Sequence, residues 1–156
     1  MDNHADNKAS DNVTDRYRSL ILIWSGLVVS QLMFVIVIYF VSPQLFTGNM
    51  LQADAGDSSP ITIAALMVCL GTWITGSILK KRNYAAAAAL NEPNRIQAGL
   101  IVGCAFAEVS SIIGIFFAMA LDYQHFFIFN AIGVLGTLLH FPSRSAIDAA
   151  FFKRSF

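Results

Sequence analysis

The feature that most limits how this chain can fold is a run without charge. Residues 20–41 hold 22 consecutive positions with no Asp, Glu, Lys, Arg or His. At ~1.5 Å of rise per residue, a helix through them is about 33 Å long, matched to a hydrocarbon layer about 30 Å thick. Three more apolar runs follow, at residues 61–79, 98–121 and 126–141. A helical crossing takes roughly 17–25 residues, so the first and third are long enough and the threonine-rich second is close to it. The fourth reaches that length only if its helix starts near Tyr123 or continues past Pro142. Composition agrees. Hydrophobic residues make up 56% of the chain and charged residues 13%, against about 25% charged in a soluble domain. Such a chain lacks the polar surface to face water on all sides. The expected fold is all-α, an integral membrane bundle of four transmembrane helices.

The basic residues set the expected topology. Lys8, Arg16 and Arg18 precede the first run. Lys80, Lys81, Arg82 and Arg95 lie between the second and third, and Arg144, Lys153 and Arg154 follow the fourth. The connections at 42–60 and 122–125 have none. Lysine and arginine accumulate in cytoplasmic loops, so both termini and the central loop are expected in the cytoplasm, as in a bacterial inner membrane or its equivalent. The crossings then fall at about 20–41, 61–79, 98–121 and 124–142. The fourth is needed to bring the last three basic residues to the same side as the rest. The first eighteen residues are polar and contain four aspartates. A cleaved leader opens with a basic segment and a short apolar core, so residues 1–19 are expected as a mobile polar tail before a retained helix. Residues 84–90 favour helix, so the second helix is expected to run on past the membrane until Asn91 and Pro93. The C-terminal residues 143–156 are a cytoplasmic tail in which 146–152 suit a short helix on the membrane surface. Tyr39, Tyr123 and Trp24 lie near span ends, where amphipathic rings favour the interface.

Inside this frame one residue stands out. Of ten acidic residues, Glu108 alone falls within an apolar run, close to the midpoint of 98–121. The eleven Leu, Ile, Val and Phe residues of that run contribute roughly −3 to −7 kcal/mol to insertion, and a central acid costs about 2.5–3.5 kcal/mol. The helix inserts with its acid in place. Helical spacing puts Cys104, Ser111 and Ile115 on the face of Glu108. Beside it runs a stripe of small residues, Gly99, Gly103, Ala107, Ser110, Gly114 and Ala118, which suits close helix–helix approach. The third and fourth runs are joined by residues 122–125 and are expected as a tight antiparallel hairpin, with Asn130, Gly133, Thr137 and His140 on one face of the fourth helix. Glu108 is expected near Thr137 or His140. Gln31, Thr72 and Thr75 lie at similar depth, so a polar belt of Gln31, Thr72, Thr75, Ser111, Thr137 and His140 is expected around the carboxyl. Polar side chains of this kind also serve as plain glue between helices.

Other chemistries find no support. His125 and His140 stand at opposite ends of one helix and His4 lies in the tail, so no haem or metal site is expected and no cofactor is implied. Cys69 and Cys104 lie inside apolar runs and are expected as buried thiols. No catalytic set and no basic patch for nucleic acid is present, so no activity of the chain's own is expected. The segment FAEVSSIIGIFFAMAL resembles the carboxylate helix of rotary ATPase proteolipid (c) subunits at Ala107, Glu108, Ile112, Ile113, Gly114 and Ala118. The resemblance extends to the hairpin of the second and third runs, with its polar loop carrying Asn, Pro and Arg; the first and fourth runs lie outside it. It implies that Glu108 is a protonatable carboxyl that loads and releases protons. Partners are then the lipid bilayer and other membrane subunits or copies of the same chain. A non-catalytic structural or assembly subunit of a larger membrane complex is the alternative.

Overall fold

A computed structural model describes residues 3–47 and 60–151, with side chains at 13–47 and 60–149. All regular structure among these residues is helical. The order is α1 (Asn3–Val41), a 3-10 turn (Pro43–Phe46), α2 (Pro60–Leu90), α3 (Asn94–Leu121), α4 (Phe126–Leu139) and α5 (Arg144–Phe151). Three helices, Val13–Val41 within α1, α2 and α3, are long and apolar enough to cross a membrane.

The turns are set by residues that tolerate unusual backbone. Asn91 ends α2 at φ 51° and Asp122 ends α3 at φ 49°. Asn and Asp are the non-glycine residues most at ease in the left-handed region, where helices commonly stop. Pro93, directly before α3, allows the reversal after Asn91 and Glu92. α2 therefore continues unbroken through Lys80, Lys81 and Arg82 to Leu90, as expected.

α3 is the innermost helix, and α1, α2 and α4 all pack on it. Apolar clusters close the two ends of the bundle. At one end Val13, Leu20, Ala87, Ile96, Leu100, Cys104 and Ile147 pack together. At the other, Ile38, Leu45, Ala118 and Phe126 form one cluster and Cys69, Phe117 and Phe129 another. The outer surface is apolar over long stretches: Phe40, Leu22 and Met67 are 76%, 72% and 65% exposed. Water does not tolerate so continuous an apolar surface, and lipid does.

Three features differ from the sequence-based expectation. The segment expected as a mobile polar tail is helical from Asn3; Val13, Tyr17 and Leu20 recur at helical spacing and bury against α2, α3 and α5. α4 begins at Phe126 and ends at Leu139, so neither expected extension of the fourth run forms. Its 14 residues measure about 21 Å; the left-handed Asp122 and the Tyr123–Phe126 turn delay its start, and Pro142 bars its continuation. α5 forms where a surface helix was expected, but Ile147 is 1% exposed and packs into the end cluster. Trp24, half-buried near the start of the first run, donates its indole N–H to the Thr137 carbonyl at 2.8 Å, because an indole N–H withdrawn from water seeks an acceptor.

Candidate functional site: a polar layer at mid-bundle

Between the apolar end clusters lies a layer of polar side chains. Gln31 of α1 is fully buried. Its Nε2 donates to Thr137 Oγ1 of α4 at 2.5 Å, and its Oε1 accepts from Ser111 Oγ of α3 at 3.3 Å. Its backbone carbonyl accepts from Asn130 Nδ2 of α4 at 3.4 Å. One glutamine thus ties three helices at one depth. Ser111, Thr137 and Asn130 are themselves buried, so each bond satisfies groups that lipid leaves bare.

Glu108 sits at the edge of this layer, half-buried between α3 and α1. Its partner is Ser30, whose Oγ donates to Glu108 Oε1 at 2.7 Å. The same hydroxyl lies 2.8 Å from the Leu27 carbonyl of its own helix. Thr137 and His140, expected beside the acid, are engaged elsewhere. Thr137 serves Gln31 and Trp24, and His140 turns Nδ1 to the Gly136 carbonyl at 2.6 Å.

The hairpin register explains the shift. A methyl at Gly103 would overlap the His140 ring, whereas Gly133 and Gly136 lie against Ala107 and Ser111. Residue 107 therefore matches the level of 133–136, about one turn from the position the loop length suggests. His140 is buried beside Gly103 as a packing residue, and its carbonyl accepts from Lys80 Nζ at 3.0 Å.

Thr72 and Thr75 do not join the layer. Thr72 Oγ1 donates to the Cys69 carbonyl at 2.9 Å and Thr75 Oγ1 to the Gly71 carbonyl at 2.8 Å, both within α2. Thr75 is exposed. A threonine in an apolar helix meets its own needs by bonding back one turn, so depth alone did not recruit these two.

The small-residue stripe is buried along its whole length: Gly99, Gly103, Ala107, Ser110, Gly114 and Ala118. It serves two neighbours. Gly99 lies against Asn83 and Tyr84 of α2, and Gly103 and Gly114 lie against His140, Phe126 and Phe129 on the α4 side. Cys69 and Cys104 are buried free thiols, as expected. No group of His, Cys, Asp and Glu side chains among the described residues is arranged to hold a metal.

Sequence reasoning missed Ser30, Asn130 as a Gln31 partner, and the tryptophan clasp on Thr137. The signal for Ser30 was present: residues 30 and 31 are the two central positions of the run 20–41, the depth at which Glu108 lies in its own run. Comparison with protein-family models, with curated proteins and with solved structures found no match to this chain.

Proposed function

We propose that this chain is a small multi-pass membrane protein that binds and exchanges protons at Glu108. Its three long apolar helices cross the bilayer and the shorter α4, with its flanking turns, makes the fourth passage, which leaves both termini and the α2–α3 turn in the cytoplasm. One observation carries the reading. Ser30 Oγ has one proton and two oxygens within 2.8 Å, Glu108 Oε1 and the Leu27 carbonyl. A hydroxyl donates once and accepts twice. With Glu108 ionised, only one of the two contacts is a full hydrogen bond. With Glu108 protonated, both are: the acid donates to Ser30 and Ser30 donates to Leu27. The site therefore accommodates a proton on the acid and offers a hydroxyl that turns when the proton leaves.

Glu108 is only half-buried, so a helix of another subunit can reach it and supply the proton route that lipid does not. The resemblance of the Glu108 helix to proteolipid subunits supports the same chemistry. The basic residues support the topology: Arg16 meets Asn94 at the start of α3, Lys80 meets the end of α4, and α5 packs beside both. α4, though short, returns the chain to this basic end.

The test is carbodiimide labelling of the full chain in native membranes, together with proton flux in proteoliposomes. Carbodiimides react with the protonated acid, so labelling at Glu108 is expected to fall as pH rises. Glu108→Gln is expected to abolish both labelling and flux, and Ser30→Ala to alter the pH profile of labelling. Absent labelling of folded protein at every pH overturns the reading.

A second reading, a structural subunit of a larger complex, draws on a different observation. The small-residue stripe, which in a ring of copies would pack neighbours, is filled here by the chain's own α2 and α4. On this reading Glu108→Gln leaves flux untouched and weakens assembly.

A further inference from the structure

At the basic end, a cleft of about 340 Å³ opens between α1, the start of α3 and α5. We infer that this cleft binds the headgroup of a zwitterionic phospholipid with a primary amine, of the phosphatidylethanolamine type. The phosphodiester would meet Arg16 and the ammonium would meet Asp15.

Depth comes first. Arg16 stands four residues before Leu20, where the apolar run begins. That is about 6 Å along a helix. The headgroup layer on each side of a bilayer is roughly 5–7 Å deep, so the polar wall of the cleft lies at headgroup level. Leu20 and Ile147, also in its wall, lie where acyl chains begin. The volume is in the range of small-molecule sites, roughly 300–1,000 Å³.

Charge comes second. Arg16 Nη1 donates to Asn94 Oδ1 at 2.6 Å. This neutral partner holds the guanidinium in place without cancelling its charge. Asp15, the preceding residue, lines the same cleft, and its side chain has no hydrogen bond or ion pair among the described residues; Arg95 with Glu92 is the one ion pair found there. The wall thus presents one fixed cation and one free anion, adjacent along α1. A purely anionic headgroup would be repelled by Asp15 and a free phosphate would leave it unused. A choline headgroup offers Asp15 no N–H, whereas an ethanolamine ammonium offers three. Gln97 and Asn94 add amide groups to the wall for the remaining phosphate oxygens.

The test uses the full chain in nanodiscs of equal parts dioleoyl phosphatidylethanolamine, phosphatidylcholine and phosphatidylglycerol, with retained lipid read by native mass spectrometry. Ethanolamine lipid is expected to be retained about tenfold over the other two, the effect of one charged hydrogen bond. Asp15→Asn is expected to reduce it to the choline level. Arg16→Gln is expected to lower retention of all three lipids. Lys81→Gln, exposed and outside the cleft, is expected to change nothing, and excess inorganic phosphate is expected not to displace the lipid. Equal retention of the three lipids, preference for the glycerol lipid, displacement by phosphate, or full ethanolamine preference in Asp15→Asn would each overturn the proposal. Asp15 is exposed and unpartnered, so its variant folds even if Arg16→Gln does not.

Discussion

A methyl group at position 133 has nowhere to go. It would overlap Ser111 Oγ and lie 3.1 Å from the Ala107 carbonyl, whereas at Gly26 it would meet nothing within 4 Å. Gly133→Ala is expected to destabilise the bundle by about 1–3 kcal/mol, the usual cost of overpacking. Gly26→Ala is expected to be neutral or to stabilise by up to about 1 kcal/mol. Thermal unfolding of the purified protein in one detergent checks the contrast. Gln31→Leu removes two side-chain bonds and strands the buried hydroxyls of Ser111 and Thr137; at about 0.6–1.7 kcal/mol per bond in a membrane, a loss of roughly 1–3 kcal/mol is expected in the same assay. Residues of this kind were half legible. Gln31, Ser111 and Glu108 announced themselves as polar groups in apolar runs. Ser30 and the two threonines looked alike in the sequence, since each can bond back to its own helix. Only Ser30 also has a carboxyl facing it.

The helices themselves were easier to read than their ends. Charge-free runs predicted four membrane helices because burying charge in lipid is costly; α1, α2 and α3 are long enough to cross, and the fourth run gives only the 14-residue α4. The ends depend on local backbone chemistry and on what each helix docks against. Asp122 holds a left-handed conformation at φ 49°. Asp122→Gly is expected to be tolerated, while the β-branched Asp122→Val is expected to cost about 1–2 kcal/mol, measured by the same thermal unfolding. α5 was expected on the membrane surface because an isolated apolar stretch next to lysine and arginine suits that place. It docks on the bundle because Ile147 finds Val13, Leu20, Ile96 and Leu100. Ile147→Ala is expected to cost roughly 2–5 kcal/mol and to release α5, seen as faster proteolysis of the C-terminus.

At the scale of the whole molecule, the proposed topology has a direct check. Cys69 and Cys104 are fully buried, so they leave a silent background for thiol labelling. A membrane-impermeant maleimide added to intact cells is expected to label Thr47→Cys, and to label Lys81→Cys and Ser145→Cys only after permeabilisation. The sequence by itself determined that this chain is helical with runs apolar enough to cross a membrane, where the basic residues gather, and that Glu108 is the acid at the middle of an apolar run. Those conclusions follow from composition and spacing along the chain, because the cost of placing charge in hydrocarbon is paid residue by residue. The tertiary structure decided which polar groups meet. Helix rotation and hairpin register are set by close packing of glycines against Ser111 and His140, and a one-turn shift exchanges every partner. That packing gave Thr137 to Gln31 and Ser30 to Glu108, and it spent the small-residue stripe inside the chain.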